Sequence, residues 1–376
     1  MAAVLVSILN LFKSPSVIPF FFSTLAFSRR TSYFNGMESE SLTEAKWWHA
    51  TERKRVRCTL CPRYCHIGPG QNGFCFVRKN IDGVLYSYGY GRPTGFAIDP
   101  IEKKPLSHFF PGTGIMSFGT AGCNLGCRFC QNWTISKARL DDLHALYATP
   151  GDVVALAKKH GVPSIAYTYN DPTIIGEYVM DIAKLAREQD IKSVMVTAGY
   201  IDKEARREVY QNIDAANVDL KAFSELFYHK LTFSHLKDVL DTLVWLRNET
   251  DVWVEITTLL IPDENDSNEE IQALCTWIVE KMGTDVPLHF TAFHPDFKLR
   301  HKPATPPETL RRARDIAQKS GIQYCYTGNV FDREGQTTYC PNCKKPLIER
   351  NWHTVERNHL KNGHCPYCRF KIAGRF

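Results

Sequence analysis

The 376-residue chain has no run of 18 or more apolar residues beyond its first 27 positions, and that opening stretch is itself broken by Lys13, Pro15 and Pro19. A spanning helix needs about 20 apolar residues in succession, so no membrane span is expected. Acidic residues are absent from residues 1–36, which carry Lys13, Arg29 and Arg30, are rich in Ser and Phe, and end just before Met37. Such a segment reads as an organellar presequence, mitochondrial ahead of plastid. Translation from Met37 would instead give a cytoplasmic protein, and a secretory signal would need the charged n-region that is missing here. Also lacking is a dinucleotide loop, because Gly89-x-Gly91-x-x-x-Gly95 is followed by no helical pattern. What is present in quantity is apolar residue, 44% of the chain, which suffices for a sizeable core and excludes disorder or a fibre.

The net charge of +6 is unevenly spread. Residues 340–376 carry eight Lys and Arg against Glu349 and Glu356, and the first 36 carry three positive charges and no negative one. The bulk between them is therefore slightly acidic, and the basic signal belongs to the two ends.

From Pro111 onward, short β-branched runs alternate with amphipathic helical stretches. Strands are expected at Ile115–Thr120, Ser164–Tyr169, Ser193–Thr197, Asn217–Lys221, Val252–Leu260 and Leu288–Phe293. Their starts recur at about 35 residues, the length of one strand-helix unit of a parallel α/β fold. Thr149-Pro150-Gly151-Asp152 and Thr305-Pro306-Pro307-Glu308 read as helix starts. Six units fall short of the eight of a closed barrel, so a partial barrel or an open doubly wound sheet is expected. Gly83–Pro100, with alternating aromatic and small residues, reads as a hairpin or strand connector.

Thirteen cysteines are too few for a disulfide scaffold and too clustered for core residues alone. Eleven fall into three groups with CxxC-like spacing, which points to metal or iron–sulfur ligation in a reducing compartment. Cys340-Pro-Asn-Cys343 and Cys365-Pro-Tyr-Cys368 read as the paired knuckles of a zinc ribbon, whose closed four-thiolate site supplies folding energy that so small a module cannot find in a core. Its positive side chains either offset the tetrathiolate charge, the preferred reading, or contact an acidic partner or RNA. Cys58, Cys61, Cys65 and Cys75 also number four, a closed site for zinc or an auxiliary iron–sulfur cluster, between which spacing does not choose. The basic run Arg53-Lys54-Arg55-x-Arg57 before it reads as a solvated strand edge, and the lone Cys275 and Cys325 read as core residues.

The middle group differs. Cys123-x3-Cys127-x2-Cys130 gives three thiolates in eight residues, just after the first strand of the repeat. Three ligands leave one iron of a [4Fe–4S] cubane open, as a catalytic site requires. With the aromatic Phe129 before the third cysteine, the pattern resembles the radical S-adenosylmethionine (SAM) superfamily. The resemblance implies that SAM fills the open iron through its amine and carboxylate. It also implies that an electron from the cluster breaks a carbon–sulfur bond to give a 5′-deoxyadenosyl radical, with the protein supplying orientation and exclusion of water. Polar residues recur at strand C-termini, where parallel α/β folds place ligands: Tyr169, Asn170 and Asp171, then Thr197, Asp219 and Lys221, and His294 with Asp296. With Phe129 these, Asp296 apart, are the candidate cofactor-binding residues, although a turn, an ion pair or a loop contact would explain each singly. No catalytic side chain stands out.

Further motifs narrow the likeness. Cys58-Thr-Leu-Cys61-Pro62-x-x-Cys65, Glu102-Lys-Lys-Pro-Leu-x-His108, Cys130-Gln-Asn132, Thr168–Pro172, Asp219–Phe223, Phe293–Asp296 and Gly328-Asn-Val330 resemble the radical SAM enzyme of the AmmeMemoRadiSam system, related to pyruvate formate-lyase activating enzymes. Two features depart from that family: Ala198 where Asn is usual, and the tail Ile372–Phe376. The resemblance implies a partial (β/α)6 barrel, Memo-like and AMMECR-like partners, and a reductant protein. The expected organisation is a targeting segment over 1–36, a Cys-rich segment with hairpin over 37–111, a radical SAM core over 112–332 and a ribbon over 333–376. The expected activity is hydrogen abstraction from an unidentified substrate. A glycyl-radical-enzyme activase or an RNA-modifying enzyme are the alternatives within the superfamily, and a non-enzymatic metal-binding adaptor is the alternative outside it.

Overall fold

The computed structural model describes residues 42–143 and 147–376, of which 42–376 form one compact unit. The expected presequence lies outside the described residues. The chain enters through three short antiparallel strands, β1 (Trp48–Ala50), β2 (Val56–Cys58) and β3 (His66–Ile67), and then a hairpin of β4 (Arg78–Ile81) and β5 (Val84–Ser87). Arg53, Lys54 and Arg55 sit in the exposed turn between β1 and β2. The hairpin expected within Gly83–Pro100 thus starts earlier, and the second half of that segment is instead a strand of the main sheet, β6 (Thr94–Pro100).

That sheet has eight strands. After β6 come β7 (Gly114–Gly119), β8 (Ser164–Tyr167), β9 (Lys192–Thr197), β10 (Ala215–Asp219), β11 (Trp253–Leu260), β12 (Leu288–Ala292) and β13 (Cys325–Gly328). Every strand pairs with its neighbour in sequence; β6 runs antiparallel to β7 and all later pairs are parallel. Right-handed crossovers that always step the same way put all the helices on one face and curl the sheet, which decides for a partial barrel over a doubly wound sheet. Six helices fill the six crossovers: Pro150–Lys159, Gly176–Glu188, Lys203–Val209, Leu236–Glu249, Asn268–Met282 and Pro307–Lys319. Thr149 caps the first through a reciprocal pair with Asp152. Thr305 caps nothing; its hydroxyl donates to Leu260 O, and Pro306 precedes the helix. Strands β8 and β12 are buried at every residue, which is why their sequences read as continuous runs. Cys275 and Cys325 are buried in the core.

Beyond β13 the chain forms β14 (Thr338–Tyr339), β15 (Pro346–Asn351) and β16 (Thr354–Asn358), a small antiparallel sheet. A buried polar chain docks it against the barrel. Arg350, 2% exposed, donates to Ser107 O at 2.7 Å, to Gln336 O at 3.2 Å and to Thr338 Oγ1 at 2.8 Å. His108 Nδ1 lies 2.6 Å from Ala373 O, which can only accept, so this nitrogen carries the proton and Nε2 accepts from the Tyr326 hydroxyl at 2.6 Å. Thr338 in turn donates to Tyr326 at 2.8 Å. The tail also pairs with the barrel, Phe110 N donating to Arg375 O and Arg375 N to His108 O.

Burial pushes the His108 imidazole down to about 4. Its protonation is therefore favoured in the unfolded chain, where the value is about 6.5, so this group's contribution to stability is complete above neutrality and is lost as pH falls from about 6.5 to about 4. Between pH 7 and pH 5 the loss should be about 2 kcal/mol. Urea unfolding of wild type and His108→Gln at the two pH values should give a smaller pH-dependent drop for the variant; equal drops would remove His108 from the account.

Candidate active site and metal centres

The three-cysteine loop leaves the C-terminal end of β7, and its shape is imposed by close approaches. Gly122 has φ +82°, and a Cβ there would lie 1.9 Å from the carbonyl oxygen of Cys75, so no side chain fits. At Gly126 a Cβ would meet the Phe233 ring at 2.5 Å. The backbone is pinned as Gly126 N donates to Thr232 O and Arg128 N to Leu231 O. Asn170, just past β8, holds the loop from the other side: its Nδ2 donates to Thr120 O at 2.8 Å and Gly122 O at 2.6 Å, and its Oδ1 accepts from Thr120 N.

Cys123, Cys127 and Cys130 open onto a cavity of about 530 Å³ that lies at the C-terminal ends of the strands. Burial pushes the Cys123 thiol up and that of Cys127 to about 12, with Lys221 opposing the rise at Cys127. Buried thiols of this kind become ligands only when a metal replaces their protons. They are not gathered for a single ion. Among the described residues, the one group of three or more metal-ligand atoms lying within 4.8 Å of one another is Cys340, Cys343, Cys365 and Cys368. Three thiols that share a cavity wall at wider spacing fit a cluster with several irons.

Phe129, Tyr169, Asn170, Asp171, Thr197, Asp219 and Lys221 all line the same cavity. Several are already engaged. Asp171 is fully buried and accepts from Thr173 N, Thr197 Oγ1 and Ala198 N, tying the end of β8 to the end of β9. Asp219 pairs with Lys221 at 2.8 Å. Tyr169, at φ +70°, donates to Asp99, which also takes hydrogen bonds from Lys103 and Lys104. Burial would raise the Asp99 carboxyl, but those two ammonium groups outweigh it and hold it at about 2. His294 is not brought to the site. β12 ends at Ala292, and His294 is exposed and absent from the lining, while Asp296 accepts from Trp133 Nε1 at 3.0 Å beside the cysteine loop.

The lining includes residues that no spacing argument reached: Glu102, His289, and Arg350, Trp352 and His353 from the C-terminal module. Glu102 lies 3.5 Å from Arg350 Nε, and burial raises its carboxyl. The C-terminal module is thus part of the chamber wall. Its four thiols form two pairs at 3.5 and 3.6 Å, Cys340 with Cys368 and Cys343 with Cys365. Four bonds of about 2.3 Å to one tetrahedral ion bring thiolates to about 3.8 Å of each other, so this quartet can hold one metal ion.

No helix among the described residues is long and apolar enough to cross a membrane. The Radical SAM superfamily model matches residues 118–275, from the end of β7 into the helix before β12. An uncharacterized protein of Methanocaldococcus jannaschii is 43% identical over 309 residues, which is 82% of this chain and 92% of the relative. The pyruvate formate-lyase-activating enzyme of Clostridium pasteurianum is 25% identical over 193 residues, 48% of this chain and 79% of that protein. Among solved structures, a domain of pyruvate-formate lyase-activating enzyme from Bacteroides vulgatus aligns at 18% identity with a TM-score of 0.39, over 44% of this chain and 98% of that one. With a cysteine loop on the strand end where the family model begins, and with relatives of this kind, the chain belongs to the radical SAM superfamily and is an enzyme of that class.

Proposed function

We propose that the enzyme cleaves SAM reductively at a [4Fe–4S] cluster on Cys123, Cys127 and Cys130, and abstracts hydrogen from a substrate held in the chamber beside it. The observation that carries this reading is the three-thiol set facing the 530 Å³ chamber with no fourth cysteine in its lining. A chamber of this size is in the range of small-molecule sites. Once bound, the cluster and SAM supply homolytic carbon–sulfur cleavage. The chain's own residues do the positioning. Asn170 fixes the loop, Asp171 fixes Thr197, and Lys221 sets a positive charge near Cys127 that favours its thiolate. Phe129, Tyr169, Thr197 and Asp219 offer the wall against which SAM would lie, and Arg350, Trp352 and His353 face the substrate side and keep out water.

A second reading, favoured by the likeness to the activating enzyme of Clostridium pasteurianum, is an activase that takes hydrogen from a glycine of a partner protein. We assign the chain within the superfamily to the AmmeMemoRadiSam type, on the sequence motifs quoted above. Memo-like and AMMECR-like proteins are its partners on that assignment, and a reductant protein its electron source. We also propose zinc in the Cys340–Cys368 site and organellar import through residues 1–36. The basic surface of the module leaves RNA modification as an outcome that salt-dependent binding would reveal.

After anaerobic reconstitution, wild type should release 5′-deoxyadenosine from SAM, and the Cys123→Ala/Cys127→Ala/Cys130→Ala variant should release none above background. Release by that variant would sink the mechanism. Cys340→Ser/Cys343→Ser should lose about one zinc per chain and melt at lower temperature while keeping its iron; unchanged zinc would move the ion elsewhere.

A further inference from the structure

The four N-terminal cysteines take no part in the chamber, yet they too surround a single space. Cys58 ends β2, Cys61 and Cys65 lie in the turn to β3, and Cys75 lies in the loop before β4, and all four line one small cavity. Cys58 N donates to Cys65 O at 3.0 Å, closing the turn. All four thiols are free. We infer that this cavity is a second iron–sulfur site, taking a cluster of several irons with inorganic sulfide and not a single metal ion.

Three observations carry the inference. The first is spacing, for which the same chain provides a ruler. The C-terminal quartet has all four sulfurs within 4.8 Å of one another, as a single ion demands, and no other group of three or more ligand atoms among the described residues is so close. Neither the N-terminal quartet nor the catalytic trio is gathered in that way, although each lines one cavity. A cluster interposes irons and sulfides between its thiolates, so it needs a wider spacing than a single ion does.

The second observation is an unmet hydrogen-bond donor. Arg78 lines this cavity and is 1% exposed. Its Nη2 donates to Glu177 at 2.6 Å and its Nη1 to Lys46 O at 3.2 Å, but its Nε is buried with no partner. A buried donor without an acceptor costs about 1–3 kcal/mol, and the sulfur of a thiolate or a bridging sulfide would accept from it.

The third is position. Asn124 lines the same cavity and directly follows the ligand Cys123, and its carbonyl accepts from Arg63 Nε, another cavity residue. Gly122, on the other side of Cys123, lies against the Cys75 carbonyl. The two sites stand back to back across one stretch of backbone.

The four thiols of this site are none of those on which the proposed function depends, so the two can fail separately. Full-length chain is reconstituted anaerobically with iron and sulfide, and iron, inorganic sulfide and zinc are counted. The variant lacking Cys123, Cys127 and Cys130 should still hold iron and sulfide in equal amounts, about two to four of each per chain, with a cluster-type Mössbauer spectrum. Cys61→Ser/Cys75→Ser should lose that amount relative to wild type. Should the triple variant fail to fold, wild type decides alone: more than about four iron with about one zinc supports the inference, and about four iron with two zinc overturns it. A folded triple variant free of iron also overturns it, whatever wild type does with SAM.

Discussion

The carboxylate of Glu255 in β11 has no exposure to solvent, and four donors converge on it: Ser107 N at 2.9 Å, His108 N at 2.8 Å, Trp253 Nε1 at 3.0 Å and His289 Nε2 at 2.7 Å. Burial alone would raise this carboxyl, but His289 and the other donors outweigh it and hold it below its usual range. A buried charge is tolerable only when so satisfied. The cluster also ties the sheet to the segment that links β6 and β7. From His108 the hydrogen bonds run outward through Tyr326 and Thr338 to Arg350, and so into the C-terminal module. The chamber wall contributed by Arg350, Trp352 and His353 depends on this anchorage.

The N-terminal segment is held by a comparable device. Arg78 and Glu177, 1% and 5% exposed, pair at 2.6 Å between the β4–β5 hairpin and the helix Gly176–Glu188. Lys46 N and Ser87 Oγ donate to the same carboxylate. Removing one member of such a pair typically costs about 3–5 kcal/mol, because the other is left charged and buried. Both additions to the barrel are thus fastened by fully buried arginines, Arg78 in the N-terminal segment and Arg350 in the C-terminal module.

Much of the site was legible from local spacing. Three thiols in eight residues and paired CPxC knuckles stand out without a fold, since the members of each motif lie close in sequence. The strand-helix period also located six of the eight strands of the main sheet to within a few residues, because buried parallel strands read as apolar runs, but not β6 or β13. What spacing could not reach were Glu102, His289, Arg350, Trp352 and His353, which join the chamber from positions up to 251 residues apart. His294 shows the converse: a polar residue at a strand end that the chain turns outward.

By itself the sequence determined the three cysteine groups, the α/β class and the place of the three-cysteine loop after the first strand of the repeat, all properties of residues near one another along the chain. Tertiary structure decided what the spacing left open. The consecutive strand order turned six units into a partial barrel, because crossovers of one hand that step one way must curl the sheet. The same contacts made the C-terminal module a wall of the chamber and separated two four-cysteine groups, one drawn tight enough for a single ion and one spread around a cavity. Both depend on how separate segments are brought together, and only the folded chain fixes that.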